Sequence, residues 1–142
     1  MPSSFRGAPA PPFPSVRAPL PARLLATIAA GWARSLRHEL PRVLPPGERA
    51  HDRVLSTDDY DVWVIHWAAG SGLDPHDHAA SAGALRVVHG ELVERQLDPH
   101  VEAAVRRHLV AGHSRTFPVG HVHEVRNRGD RVASSVHVYS PP

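Results

Sequence analysis

The 142-residue chain contains no cysteine and no lysine, and only 6% of its residues are aromatic. No apolar run approaches the roughly 20 residues that a membrane-spanning helix needs, so no membrane partner is expected. Without cysteine there is neither a disulfide nor a thiolate metal site, and histidine and carboxylate are the only strong metal ligands left. Without lysine, all 16 basic residues are arginines, set against 14 acids, for a formal net charge of +2. Little then titrates between neutrality and about pH 10, so this small excess produces a pI of about 9.9 without any basic patch. The arginines are scattered along the chain, which excludes nucleic acid as the expected partner.

What is present is an ordinary globular composition, 42% hydrophobic and 21% charged. The length suits one hydrophobic core rather than two, and a monomer is expected. Residues 1–21 carry seven of the fifteen prolines and no apolar period, and are read as a mostly disordered arm; residues 22–142 are read as a single domain. No apolar stretch follows a charged start, and the dense prolines oppose an amphipathic presequence, so the expected location is the cytoplasm. From Ala22 to Leu40, Leu25, Ile28, Trp32, Leu36 and Leu40 recur every three or four residues, which predicts an amphipathic helix ended by Pro41. Beyond "LPPGER" the texture changes. Segments such as "DVWVIHW", "ALRVVHG", "ELVERQL", "RTFPVG", "HVHEVRN" and "SSVHVYS" alternate or are β-branched, and Gly or Pro interrupts them every eight to twelve residues. That rhythm predicts an antiparallel sandwich or barrel, with "VVHGELVE" a hairpin turning at His89 and Gly90.

Histidine is abundant, at twelve residues. In "GLDPHDHAASAG", His76 and His78 stand at i and i+2, so both project to one face if the segment is extended. At this histidine content such a pair also arises by chance, and His121 and His123 form another. The frame around the pairs is more specific. Gly70, five residues, His76-x-His78 and then Gly90 match the first motif of the cupin superfamily. Gly112, five residues, Pro118-x-Gly120, two residues, His123, three residues and Asn127 match the second. The resemblance implies an all-β jelly-roll barrel, here preceded by a short helical segment, with His76, His78 and His123 as metal ligands. His121 is the alternative for the third. The glutamate that the first motif usually supplies falls on Ala82 or Gly83, so the implied centre is three neutral imidazoles. Such a centre keeps the metal's full charge and favours anionic donors, a thiolate above all.

In "SSVHVYSPP", Ser135, His137 and Tyr139 face one way along a strand, with Val136 and Val138 behind. Alone this is an ordinary polar face; beside a three-histidine cupin site it resembles the Ser-His-Tyr triad of the cysteine dioxygenases. The resemblance extends over roughly residues 51–142, through "HDRVL", "VWVIHWAAGSGLDPHDH", "VVHGELVER", "HEVRN" and "SVHVYSPP". It implies Fe(II) on the three histidines, Arg53 against the substrate carboxylate, and Tyr139, oriented by His137 and Ser135, touching substrate or oxygen. Arg86 or Arg126 is the alternative to Arg53, and Trp67 and Tyr60 are left as core or rim residues. The implied reaction converts L-cysteine and O2 to cysteine sulfinate, with 3-mercaptopropionate or another small thiol as the alternative substrate. A non-catalytic metal- or ligand-binding cupin is the alternative of another class. Two departures stand out. No cysteine near Gly83 is available to crosslink to Tyr139, and His51 occupies the position where an aromatic usually precedes the family's arginine.

Overall fold

The computed structural model describes residues 17–98, 100 and 102–142. Among them one helix precedes nine strands. The helix is α1 (Ala22–Leu36), and the strands are β1 (Arg49–Ser56), β2 (Asp61–Trp67), β3 (Gly72–His76), β4 (Ala82–His89), β5 (Glu91–Leu97), β6 (Val105–Val110), β7 (Ser114–Phe117), β8 (Val122–Arg126) and β9 (Ala133–Ser140). A five-stranded antiparallel sheet runs β1-β2-β9-β4-β7, and a four-stranded one runs β3-β8-β5-β6. Ile65, Trp67, Leu85, Val87, Phe117 and Ala133 of the first sheet close on Leu92, Leu109 and Val125 of the second. Period-two alternation puts these residues inside and their neighbours outside, giving the expected jelly-roll barrel with its N-terminal helix.

The outer face of the larger sheet is apolar too, and α1 covers it. Leu25, Ala29 and Ala33 are buried against Val62, Val64, Ala84, Val136 and Val138, with Ile28, Trp32 and Leu36 at the margins. Alanines at the centre of the stripe let the helix lie close to the strands. The helix stops at Leu36, four residues short of the expected end, and Leu40 is exposed. Pro41 disfavours helical geometry at the residue before it, and His89 Nε2–H donates to the Arg37 carbonyl at 3.0 Å, capping the chain as it leaves.

The turn expected at His89 and Gly90 is present, with Gly90 at φ 70°, but it does not make a hairpin. β4 pairs with β7 and β9, whereas β5 pairs with β6 and β8 in the opposite sheet. Gly90 therefore marks a crossing between sheets, and a Cβ there would lie 3.0 Å from Ala133. Of the arm expected over residues 1–21, residues 1–16 lie outside the described residues. Residues 17–21 run against the barrel: the Leu20 amide donates to Ser140 Oγ at 3.0 Å, and Arg17 pairs with Asp59 at 2.6 Å. Among the described residues no helix is long and apolar enough to cross a membrane.

Candidate metal centre

β3 delivers His76 directly opposite His123 of β8. His78 arrives differently, because the strand ends at His76. Asp77 Oδ1 accepts the Ala79 amide at 3.0 Å, Ala79 adopts φ 53°, and the Ser81 amide donates to the His78 carbonyl at 3.0 Å. This turn, not strand alternation, swings the His78 ring back to the other two. A left-handed conformation at a residue with a Cβ costs roughly 1–2 kcal/mol, a strain that functional sites commonly retain. The ring centroids lie 4.9 Å apart for His76 and His78, 4.8 Å for His76 and His123, and 5.3 Å for His78 and His123. The aspartate between the first two histidines thus shapes the backbone rather than joining the cluster.

Hydrogen bonds fix two of the rings. His76 Nδ1–H donates to the Asp74 carbonyl at 2.7 Å, which leaves Nε2 as the free lone pair. His123 is held by Glu94, a fully buried residue of β5, with His123 Nδ1 3.0 Å from Oε1. Burial alone would raise the pKa of Glu94, but hydrogen bonds from His123, Arg115 and His121 overturn this and hold it at about 2. An ionised carboxylate only accepts, so His123 Nδ1 and His121 Nε2, 3.1 Å from the same oxygen, both carry hydrogen. His123 Nε2 lies 3.1 Å from His78 Nε2. Burial first, then the neighbouring rings, hold His78 down at about 4, and burial also lowers His76. Both are neutral at pH 7, as ligands must be.

Two groupings have donor atoms within 4.8 Å of one another, as a metal site requires: His76, His78 and His123, and Glu94, His121 and His123. In the second, the carboxylate is already committed to two imidazoles and to Arg115 Nε at 2.8 Å, so a cation there would confront a guanidinium. The first offers three imidazoles with no guanidinium bonded to any of them. With metal–imidazole bonds of roughly 2.1 Å, nitrogens 3.1 Å apart subtend about 95° at an ion, the angle between adjacent octahedral positions.

At Gly83 there is no room for a carboxylate side chain. A Cβ on Gly83 would fall 2.3 Å from the Phe117 ring, and Phe117 lies opposite Gly83 across the β4–β7 pairing. That phenyl stacks on His78 at 5.1 Å and on His121 at 5.3 Å. His121, the alternative third ligand, is thereby held against Phe117 and Glu94.

On β9 the Ser-His-Tyr ladder is assembled and has a direction. Trp67 Nε1–H donates to Ser135 Oγ at 2.9 Å, Ser135 Oγ lies 2.8 Å from His137 Nε2, and His137 Nδ1 lies 3.0 Å from the Tyr139 hydroxyl. An indole N–H can only donate, so the buried serine proton is satisfied by His137 Nε2. His137 is fully buried and held neutral, at about 3, first by that burial and then by the neighbouring rings. Its Nδ1–H therefore donates to the Tyr139 oxygen, leaving the tyrosine proton to point onward. Burial raises the Tyr139 pKa, keeping that proton in place. Tyr139 lies 4.5 Å from the His78 ring, so the ladder ends at the trio.

Arg53 is not brought to the imidazoles. Its guanidinium lies 5.7 Å from the centre of the Trp63 ring and 3.6 Å from Asp61, half exposed, beside a register shift in β1. Arg86 donates to Ser114 Oγ, and Arg126 is taken by Glu124 and Asp74. Arg49, four residues earlier on β1, is the arginine that faces the centre. It sits 5.6 Å over Trp67, donates to the Gly72 carbonyl at 3.4 Å, and its charge acts on His76, His137 and Tyr139. Burial lowers its pKa, and no carboxylate pairs with it among the described residues. Tyr60, by contrast, packs on the helix side of the sheet. Glu94, Arg49 and Arg115 escape the sequence reading; the one available signal was an acid on the Leu92 face of "ELVERQL".

The fold recurs in solved structures. One is a conserved protein with a double-stranded β-helix domain from Klebsiella pneumoniae, 28% identical over 74% of this chain and 86% of that one, with a TM-score of 0.61. A protein from Thermus thermophilus matches at 23% identity over 70% of this chain and 90% of that one, with a TM-score of 0.58. A cupin superfamily protein from Desulfitobacterium hafniense matches at 12% identity over 70% and 83%, also with a TM-score of 0.58. These likenesses establish the cupin fold. The family model for cysteine dioxygenase type I matches residues 38–142, which span β1 to β9 and every residue of the imidazole cluster and the ladder, and the chain belongs to that family.

Proposed function

We propose that the protein is an iron-dependent thiol dioxygenase in which His76, His78 and His123 hold Fe(II), acting on L-cysteine and O2 to give cysteine sulfinate. The observation that carries this reading is the meeting of three imidazoles with a hydroxyl whose proton is aimed outward by the Trp67–Ser135–His137 ladder. Family membership supports it. When bound, the iron supplies a centre at which a thiol and O2 meet, so that both oxygen atoms pass to sulfur and no external reductant is consumed. The protein's own groups do the positioning. Tyr139 donates a hydrogen bond toward the reacting atoms, Arg49 pairs with the substrate carboxylate in place of Arg53, and Phe117 and Trp67 keep water from the imidazoles.

One observation favours the smaller thiol, 3-mercaptopropionate, as substrate. Among the described residues the carboxylates near the trio are already engaged: Glu94 with two imidazoles and Arg115, Asp74 with Arg126, and one oxygen of Asp77 with the Ala79 amide. The deciding experiment is anaerobic iron loading, then oxygen uptake with cysteine, 3-mercaptopropionate and cysteamine in parallel, with products read by mass spectrometry. A sulfinate carrying two oxygen atoms per O2 consumed is the expected product. No uptake with any thiol by the iron-loaded protein refutes the proposal.

A further inference from the structure

The trio needs no carboxylate, yet an ionised one stands immediately behind it. Glu94 has no exposed side-chain surface, and its two oxygens take His123 at 3.0 Å, His121 at 3.1 Å and Arg115 at 2.8 Å. Arg115 comes from β7 of the larger sheet and Glu94 from β5 of the smaller, so the pair crosses the barrel. A buried ion pair is no general source of stability, since the cost of removing two charges from water offsets their attraction. Its placement behind a ligand gives each member a distinct effect on a cation at the trio. The carboxylate fixes the His123 tautomer and makes Nε2 more basic, as carboxylates behind metal-bound histidines do. The guanidinium cancels the carboxylate's charge.

We infer that Glu94 and Arg115 are an opposed pair of positioning residues that together set metal affinity. Glu94 strengthens it by holding His123 as a donor-ready ligand. Arg115 restrains it, so that the centre's positive charge remains for an anionic thiol. The inference rests on the proposal that His76, His78 and His123 bind the metal. If the pair were only a staple between sheets, removing either member would weaken metal binding or leave it alone, never strengthen it.

The test is the Co(II) dissociation constant, measured by chelator competition at pH 7.5 alongside thermal melting. The proteins are wild type, Glu94→Gln, Arg115→Gln, the double variant and His76→Ala. Glu94→Gln should bind Co(II) roughly 10- to 100-fold more weakly. Arg115→Gln should bind it more tightly, by roughly three- to thirtyfold, because an unbalanced carboxylate now faces the ion. The double variant replaces the ion pair by two neutral amides, so it provides a folded comparison even if Arg115→Gln alone does not fold. It should bind more tightly than Glu94→Gln, since an uncompensated cation has been removed. Unchanged affinity in Glu94→Gln overturns the inference, and so does a double variant no tighter than Glu94→Gln. Wild-type affinity in His76→Ala instead refutes the metal-site reading itself, which keeps the two failures apart.

Discussion

Replacing Arg49 by glutamine tests how the anionic end of the substrate is held. The guanidinium lies over Trp67, contacts one carbonyl at 3.4 Å and has no carboxylate partner among the described residues. A hydrogen bond to a charged group contributes roughly 1.5–3 kcal/mol, and the partial exposure of Arg49 places the effect near the lower end because water screens it. At 1.36 kcal/mol per factor of ten, about 1.5–2 kcal/mol is a 10- to 30-fold loss in kcat/KM for cysteine, carried mainly by KM. Cysteamine keeps thiol and amine but lacks the carboxylate, so its kcat/KM should change less than about twofold. Arg53→Gln should change either value by less than about twofold, since Arg53 is half exposed and engaged with Asp61. Initial rates of oxygen uptake across both thiols supply all the numbers. The same cysteine-to-cysteamine ratio in wild type and Arg49→Gln would refute the reasoning, as would a tenfold loss in Arg53→Gln.

Three further outcomes are expected. His76→Ala, His78→Ala and His123→Ala should each abolish iron retention while His121→Ala keeps most of it, as read by elemental analysis; a metal-free His121→Ala would move the site to the Glu94 side. Tyr139→Phe should retain iron and fold but lose roughly 10²- to 10⁴-fold in rate, and unchanged turnover would make the β9 ladder structural only. The metal-free protein should lose thermal stability as pH falls below 6.5. His78 and His137 have folded pKa values of about 4 and about 3 against 6.5 in the unfolded chain, so through that window the unfolded state takes up protons that the folded state refuses. Glu94, at about 2 against 4.5, adds a second loss below pH 4.5 as the unfolded carboxylate protonates first. A melting temperature that stays flat from pH 7 to 4 would contradict these assignments.

The parts of the fold legible in the sequence were those encoded by local period. Six of the nine strands carried alternation or β-branched runs, and the two histidine frames located the trio and the β9 ladder. β3, "GLDPH", carries a proline and little apolar content, and is a strand because β8 pairs with it. β6, "VRRHLV", and β1, "RAHDRVLS", lie at sheet edges where side chains face water, so neither shows a buried period. The break between sheets at Gly90 was invisible for another reason: a tight turn between two strands has the same local sequence whether the strands pair or part. Glu94 and Arg49 escaped because their roles come from other segments, one from a histidine 29 residues away and the other from a strand pairing that sets Arg49 opposite Trp67. The family resemblance through "HDRVL" points to Arg53, and only its contact with Asp61 reveals that it is occupied elsewhere.

The interlock of Gly83 with Phe117 bears on how such centres diversify. A carboxylate at position 83 would need the space that the phenyl ring fills, 2.3 Å from where the first side-chain carbon would stand. Removing the ring alone would leave a hole beneath His78 and His121, which stack on it, and nothing to occupy it. Neither substitution by itself leads to a well-packed centre with an acid at position 83. Whether an acid at position 83 can join the imidazole cluster is therefore decided on two strands at once, and a lineage that has adopted this packing is shielded from drifting out of it there one residue at a time.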